Sequence, residues 1–367
     1  MELSDIAAAL ESKDEKLDVD IEPVANEPVP DDPLFEKLLQ SSNVATTLHA
    51  LTGFTLSEFL DLYDICRSSL EHGGRGRKPK HGSRDKLFLA FSYLKHYPKF
   101  EYMAALYSMS LSNIKDIITS TLEKIHCALK NQFLVPIRHD ELQSFGAVLR
   151  EFPHVVAMVD TTSQPTQTPG GCFSVGKSYF SGKHYRYVIK TEVLHAPNGT
   201  AMFVSSGHKG SEHDLTIFAK SRKTYALYLQ GRAVMADKGY SGAQELEGIV
   251  VEIPAKEGNL TEEEVRRNTL ISRHRVVIEN YYGRLKSSFA IMRHEFRGDL
   301  AGYPKLFELC ASLTNYMIRG RPLRAQDDLD HTAWESRIIR AAIQRSERKR
   351  HRLIAAANRR RQRLQRN

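Results

Sequence analysis

Asp160, Asp237 and Glu279 are three acidic residues in three settings that a fold can bring to one point. Asp160 ends the apolar run Val155-Val156-Ala157-Met158-Val159, and Asp237 ends a second, Ala233-Val234-Met235-Ala236, just before Lys238-Gly239-Tyr240. Glu279 lies in an amphipathic stretch, Arg275-Val276-Val277-Ile278-Glu279-Asn280-Tyr281-Tyr282-Gly283-Arg284-Leu285-Lys286. Two strand ends and one helix converging would gather three carboxylates, and such an oxygen-rich site suits hard divalent cations. Two magnesium ions roughly 4 Å apart activate a water or hydroxyl and steady the leaving oxygen in phosphodiester cleavage. Asp160 is then the candidate to bridge the ions, with Asp237 and Glu279 each holding one. Taken singly, an Asp after an apolar run is a turn former and a helical Glu is a solvated surface residue. Only the ordered set points to chemistry.

A fourth acid competes. Gly210-Ser211-Glu212-His213-Asp214 offers Asp214 as a rival ligand to Asp237, as a partner that orients a ligand, or as a helix N-terminal residue favoured by the helix dipole. His213 has no further His or Cys at zinc spacing, which argues against a zinc site. Around Glu279, the bases Arg275, Arg284 and Lys286 lie within two turns. They read either as phosphate contacts or as plain neutralisation of acids at helical spacing.

The elements that must position these residues follow from pattern. Strands are expected at Val155–Asp160, Tyr185–His195, Ala201–Ser205 and Ala233–Asp237, with a weaker one at Ile249–Pro254. Pro197-Asn198-Gly199-Thr200 turns one strand back on the next. Ser211–Lys220 reads as a short helix, Thr261–Arg267 as another opened by a Thr261/Glu264 capping box, and about Asn268 to Met292 as a long one. Hairpins followed by alternating helices and strands make a mixed α/β layer fold. Residues 35–135 read as helical. Phe100–Tyr107, the turn Ser108-Met109-Ser110 and a helix from Leu111 to about Leu129, capped by Ser110, form a helix-turn-helix pattern. Ser112, Asn113, Lys115 and Asp116 are its exposed candidates for DNA contact. Arg75 and Arg77 sit in the basic connector Gly73-Gly74-Arg75-Gly76-Arg77-Lys78-Pro79-Lys80, which could touch phosphates.

Charge adds to this picture. The 367-residue chain is 41% hydrophobic and carries a net charge of +8, unevenly spread. Residues 1–34 hold eleven acids against two lysines, and 336–367 hold twelve Lys/Arg against Glu347 alone. The acidic, proline-dotted start is expected to be disordered. The Arg-rich end, from about 326, is expected to be a helical tail that binds nucleic acid, directs nuclear import, or simply solubilises. Four scattered cysteines without CxxC spacing imply neither structural zinc nor a disulfide framework, as suits a reducing compartment. No secretory signal or membrane-spanning stretch is recognisable, so the expectation is a soluble, intracellular protein with no membrane contact.

The pieces Val159-Asp160-Thr161-Thr162, Ser181-Gly182-Lys183-His184, Gly210-Ser211-Glu212-His213-Asp214, Ala236-Asp237-Lys238-Gly239-Tyr240 and Val277–Lys286 occur in an order that resembles DDE-superfamily endonucleases, specifically Harbinger-type transposases and their bacterial insertion-sequence relatives. The resemblance implies an RNase H-like nuclease domain at about 145–325 behind an N-terminal all-α helix-turn-helix domain at about 35–140. It further implies Asp160, Asp237 and Glu279 as catalytic, metal-holding acids with two Mg2+ or Mn2+ ions. The implied activity is cleavage at transposon ends followed by joining of the freed 3′-hydroxyl to target DNA in the nucleus. A Myb-like partner protein and assembly of copies on DNA are implied as well. Thr161 departs from the pattern, which usually has glycine after the first Asp. The alternative is a host-adopted DNA-binding protein or nuclease, derived from a transposase, that no longer transposes.

Overall fold

The computed structural model describes residues 32–71, 80–137, 139–144, 148–170, 172–256, 260–323 and 331–364. Arg75 and Arg77 fall outside these residues, as does the acidic segment up to residue 31. The helical part comprises α1 (Pro33–Leu39), α2 (Val44–Thr52), α3 (Leu56–Leu70), α4 (Ser83–His96), α5 (Phe100–Leu106), α6 (Leu111–Phe133) and the short α7 (His139–Ser144). The start expected to be disordered through residue 34 gives way to α1 at Pro33. The buried Asp85 carboxylate accepts the first free amides of that helix, from Leu34 and Phe35, at 3.2 and 2.8 Å.

The expected helix-turn-helix is present as α5, a turn through Ser108, and α6. Ser110 caps α6 by accepting from the Asn113 amide at 3.3 Å, and Ile114, Ile118, Ile125, Leu129 and Phe133 bury one stripe of the helix.

The second part is a seven-stranded mixed sheet: β1 (Val155–Pro165), β2 (Phe180–Ser181), β3 (Arg186–His195), β4 (Ala201–Val204), β5 (His208–Lys209), β6 (Ala233–Met235) and β7 (Val250–Glu252). The order is β2-β3-β1-β6-β7, with β4 and β5 also paired on β3. β1 and β3 are antiparallel, and β6 and β7 run parallel to β1. This α/β arrangement is the RNase H-like sheet with flanking helices that the sequence implied. The hairpin at Asn198-Gly199 is also as expected. Gly199 takes φ +90°, and a Cβ there would collide with Leu323 and Val277 at 2.6 and 2.7 Å.

Helices cover both faces of the sheet, which is why β1 begins as an unbroken apolar run rather than an alternating one. Met158 and Met235 face the core shared with α10 (Glu262–Ser288), α11 (Ala290–Arg293) and α12 (Tyr303–Gly320). Val159, Val234 and Ala236 face α9 (Asp214–Leu229). The helix expected to start at Ser211 starts at Asp214 and runs nine residues further than expected. The two helices expected at 261–292 are one: α10 starts at its Thr261/Glu264 capping box and continues through Asn268. The Asn268 side chain bonds the Ala255 backbone (2.8 and 3.2 Å) instead of interrupting the helix. The break comes later, at Phe289, where the backbone turns extended. The basic tail forms α13 (His331–Leu364), which lies against α10.

One buried amide joins the helical part to the sheet. Asn315 on α12 donates to the Phe133 and Ala201 carbonyls, both at 2.7 Å, and accepts from the Ala201 amide at 3.0 Å. Asn315→Ala would strand these groups in the interior, at a cost of about 3 kcal/mol. Chemical denaturation should show a fall of that size, and a change of less than a few tenths would contradict this role.

Candidate active site

The first two acids meet because of strand register. β1 and β6 pair in parallel with Met158 opposite Met235. Asp160 and Asp237 each stand two residues further on, so both point to the face covered by α10, on neighbouring chains about 4.8 Å apart. Both aspartates are half-buried. Just beyond β6 the chain turns: Asp237 Oδ1 accepts the Gly239 amide at 2.7 Å and opens a short helical turn, Lys238–Tyr240. The Gly239 Cα lies close to both acids, since a Cβ there would meet Asp237 Oδ1 at 2.9 Å and Asp214 Oδ2 at 3.5 Å.

Asp214 therefore reaches the same corner from the first turn of α9. Its Oδ1 is held by Lys190 Nζ of β3 at 3.1 Å. His213 is exposed and lies one residue before the helix.

Helix α10 clamps Asp160. Tyr282 Oη donates to the Asp160 carbonyl at 3.0 Å, and Arg275 Nη2 lies 3.3 Å from Asp160 Oδ2. The other carboxylate oxygen accepts the Thr161 amide at 2.9 Å. Lys286 completes the stripe; burial lowers its pKa and the Asp160 charge raises it. Burial is also the main influence on Asp160, whose carboxyl is pushed up to about 6; Arg275 pulls it down, while Asp237 and Asp214 push it further up. The bases Arg275 and Lys286, expected as phosphate contacts, thus flank the acid. Arg284 instead donates to the Arg321 carbonyl at 3.1 Å, beside the end of α12.

Glu279 lies on α10 between Arg275 and Tyr282 and is exposed. Among the described residues, no three ligating side chains stand close enough to hold a metal ion. Asp160, Asp237 and Asp214 approach one corner without closing into a three-ligand set, and Glu279 is exposed on α10. The aspartate pair suits a divalent cation: the Asp237 charge raises the cost of ionising Asp160, and a cation would relieve it.

Behind the aspartates, on the α9 face, lies a buried polar network that sequence reasoning missed. Glu192 of β3 is fully buried, paired across from Thr161, and its Oε1 accepts the Tyr225 hydroxyl at 2.6 Å. The Tyr240 hydroxyl lies beside the same carboxyl and favours its charged form. Tyr240 links this network to the site, since its hydroxyl bonds Thr161 Oγ1 at 2.9 Å. Thr161, the residue that departs from the family pattern, thereby ties the first acid's strand to the turn after the second. The available sequence signal was an acid inside a strand whose flanks are otherwise buried and largely apolar. On the first turn of α6, Ser112, Asn113 and Lys115 are exposed, with Ser112 Oγ donating to Asp116 at 3.3 Å.

Comparison with known proteins agrees with this arrangement. Residues 159–315 match a family described as DDE superfamily endonuclease, and residues 82–131 match the helix-turn-helix of DDE superfamily endonuclease. The chain is 26% identical over 274 residues to a probable transposase for insertion sequence element IS702 from Microchaete diplosiphon, covering 72% of this chain and 92% of that protein. No solved structure matches.

The Glu192 network predicts a pH dependence. Burial pushes Glu192 up to about 8 from an ordinary 4.5, with Asp214 and Asp160 adding to the rise and the tyrosines opposing it. The unfolded chain releases this proton near 4.5 and the folded chain near 8. Stability is therefore full below about 4.5 and is lost as pH climbs through about 8, by on the order of a few kcal/mol. Glu192→Gln mimics the protonated acid, so it should flatten this slope and become more stable than the parent at alkaline pH. Parallel slopes for both proteins in urea melts across pH 5–8 would refute it.

Proposed function

We propose that this protein is a divalent-metal-dependent DNA endonuclease of the transposase type. It would cleave phosphodiesters at the ends of a mobile element and join the freed 3′-hydroxyl to target DNA. The observation that carries this reading is the register of β1 and β6, which sets Asp160 and Asp237 side by side under α10 within the segment similar to DDE endonucleases. Asp160 and Asp237 would hold Mg2+ or Mn2+, with Glu279 as the third acid on α10. Bound there, a divalent ion would polarise the phosphodiester and lower the pKa of the attacking water or hydroxyl. The chain's own groups do the rest. Tyr282 and the Thr161 amide fix Asp160, and the Asp237–Gly239 turn fixes Asp237. Lys286 and Arg275 supply positive charge toward a phosphate, and α6 offers Ser112, Asn113 and Lys115 to DNA.

A Harbinger-type identity, a Myb-like partner protein, assembly of copies on DNA and action in the nucleus belong to the same proposal; the order of the motif pieces and the basic tail support it. No helix among the described residues is long and apolar enough to cross a membrane. One observation favours the second reading, a host-adopted protein that binds DNA without transposing. Both Asp160 carboxylate oxygens are already engaged, one by Arg275 and one by the Thr161 amide.

The test is nicking of supercoiled and element-end DNA with and without Mg2+. Nicking should require the metal, and Asp160→Asn and Asp237→Asn should each lower it about 100-fold or more while leaving DNA binding in place. Nicking that survives both substitutions would sink the nuclease reading. Binding without any nicking by the parent protein would favour the second.

A further inference from the structure

Beyond the acids, the same domain displays aromatic rings to solvent beside positive charge. Helix α8 (Phe173–Tyr179) runs directly into β2, which turns through Gly182–Tyr185 into β3. On this lobe Tyr185 is 85% exposed, Phe173 83% and Phe180 39%. Tyr185 has φ +51°, a left-handed backbone that a bulky non-glycine residue rarely adopts. The turn therefore holds an aromatic ring out in water in a conformation that costs free energy, a combination that local packing does not explain.

The rings alternate with cations: Lys183 and Arg186 flank Tyr185 and are exposed. The lobe is electrically continuous with the acidic corner. His184, in the same turn, is held below its ordinary pKa, first by partial burial and then by the charges of Lys183, Arg186, Lys190 and Lys286. Lys190 pairs with Asp214, and Lys286 feels Asp160. From Val193, opposite Asp160, eight residues of β3 lead back to Tyr185, at most about 27 Å. That span suits a DNA strand leading away from the acids, several nucleotides long.

We propose that Tyr185 and Phe173 stack on unpaired bases of the DNA strand leaving the cleavage corner, with Lys183 and Arg186 on its phosphates. The partner is single-stranded rather than duplex DNA because a ring can lie on a base face only where that base is unstacked from its neighbour. Cations alone would serve a duplex, and bare aromatics alone would suit a second protein copy; their alternation fits a chain that carries a charge and a π-face at every step.

This inference rests on the nuclease reading for its DNA partner, so its test is separated from catalysis. Binding of the full chain is measured in a chelator by fluorescence anisotropy, using a labelled duplex with a single-stranded thymine overhang and the same duplex made blunt. Tyr185→Ala and Phe173→Ala should each weaken overhang binding about tenfold and leave blunt-duplex binding unchanged, whereas Tyr185→Phe should retain parent affinity. Equal loss on both DNAs, or no loss on either, overturns the proposal. So does a change in sedimentation mass without loss of overhang affinity, which would assign the rings to a second copy of the chain. Thermal melting of each variant identifies any that fail to fold, and Tyr185→Trp then provides the check, since its emission should be quenched by the overhang DNA and not by the blunt one. Because no metal is present, these outcomes stand whether or not the nicking experiment succeeds.

Discussion

The parallel pairing of β1 with β6 is the constraint on which the site depends. A slip of one residue in a strand sends every side chain to the opposite face. With Met158 opposite Met235, both aspartates emerge under α10. With any odd shift, one of them would point toward α9 and the site would not exist. The apolar residues before each Asp do more than fill the core: Met158 and Met235 bury against the α10 face while Val159 and Ala236 bury against α9, and that division holds the register.

The rest of the corner is a system of braces on that pair. Tyr282 and Arg275 press α10 onto Asp160, and behind them the buried His195 ring sits 4.6 Å from Tyr281 and 5.5 Å from Tyr282. On the opposite face, the Thr161–Tyr240 bond and Glu192 anchor the turn that follows Asp237. Tyr282 engages the backbone of Asp160 and Tyr240 the side chain next to it, while Arg275 meets the Asp160 carboxylate itself. The geometry of the acids thus survives the burial that chiefly raises the Asp160 carboxyl and the Asp237 charge that adds to it.

Much of this was legible in the sequence, and the limits have physical causes. Strand β6 was readable because an apolar run stops at an acid, and the β3–β4 hairpin because Asn198-Gly199 needs a left-handed turn; β1 was read only to Asp160, whereas pairing with β3 carries it through that acid to Pro165. The capping residues Ser110 and Thr261 marked two helix starts correctly. The continuity of α10 was not legible, because the sequence does not show that the Asn268 side chain turns to the Ala255 backbone and lets the helix run on. Glu192 escaped because burial of a carboxyl depends on partners, Tyr225 and Tyr240, that are distant in the chain. The exposure of Glu279 on α10 is a matter of helix rotation and side-chain placement. Helical periodicity alone cannot resolve either.

The buried Asn315 amide has a mechanical consequence. It links the last turn of α6 to the first residue of β4, and His126 and Lys130 reinforce the link by gripping Glu308 of α12, both at 2.7 Å. At the other end Arg297 reaches the Tyr97 carbonyl at 2.6 Å and lies over the Tyr97 ring. Helix α6 is therefore bolted to the sheet rather than tethered by a flexible linker. A duplex gripped by α6 would meet the aspartates at a set number of base pairs from the gripped site, so the fold itself would act as a ruler.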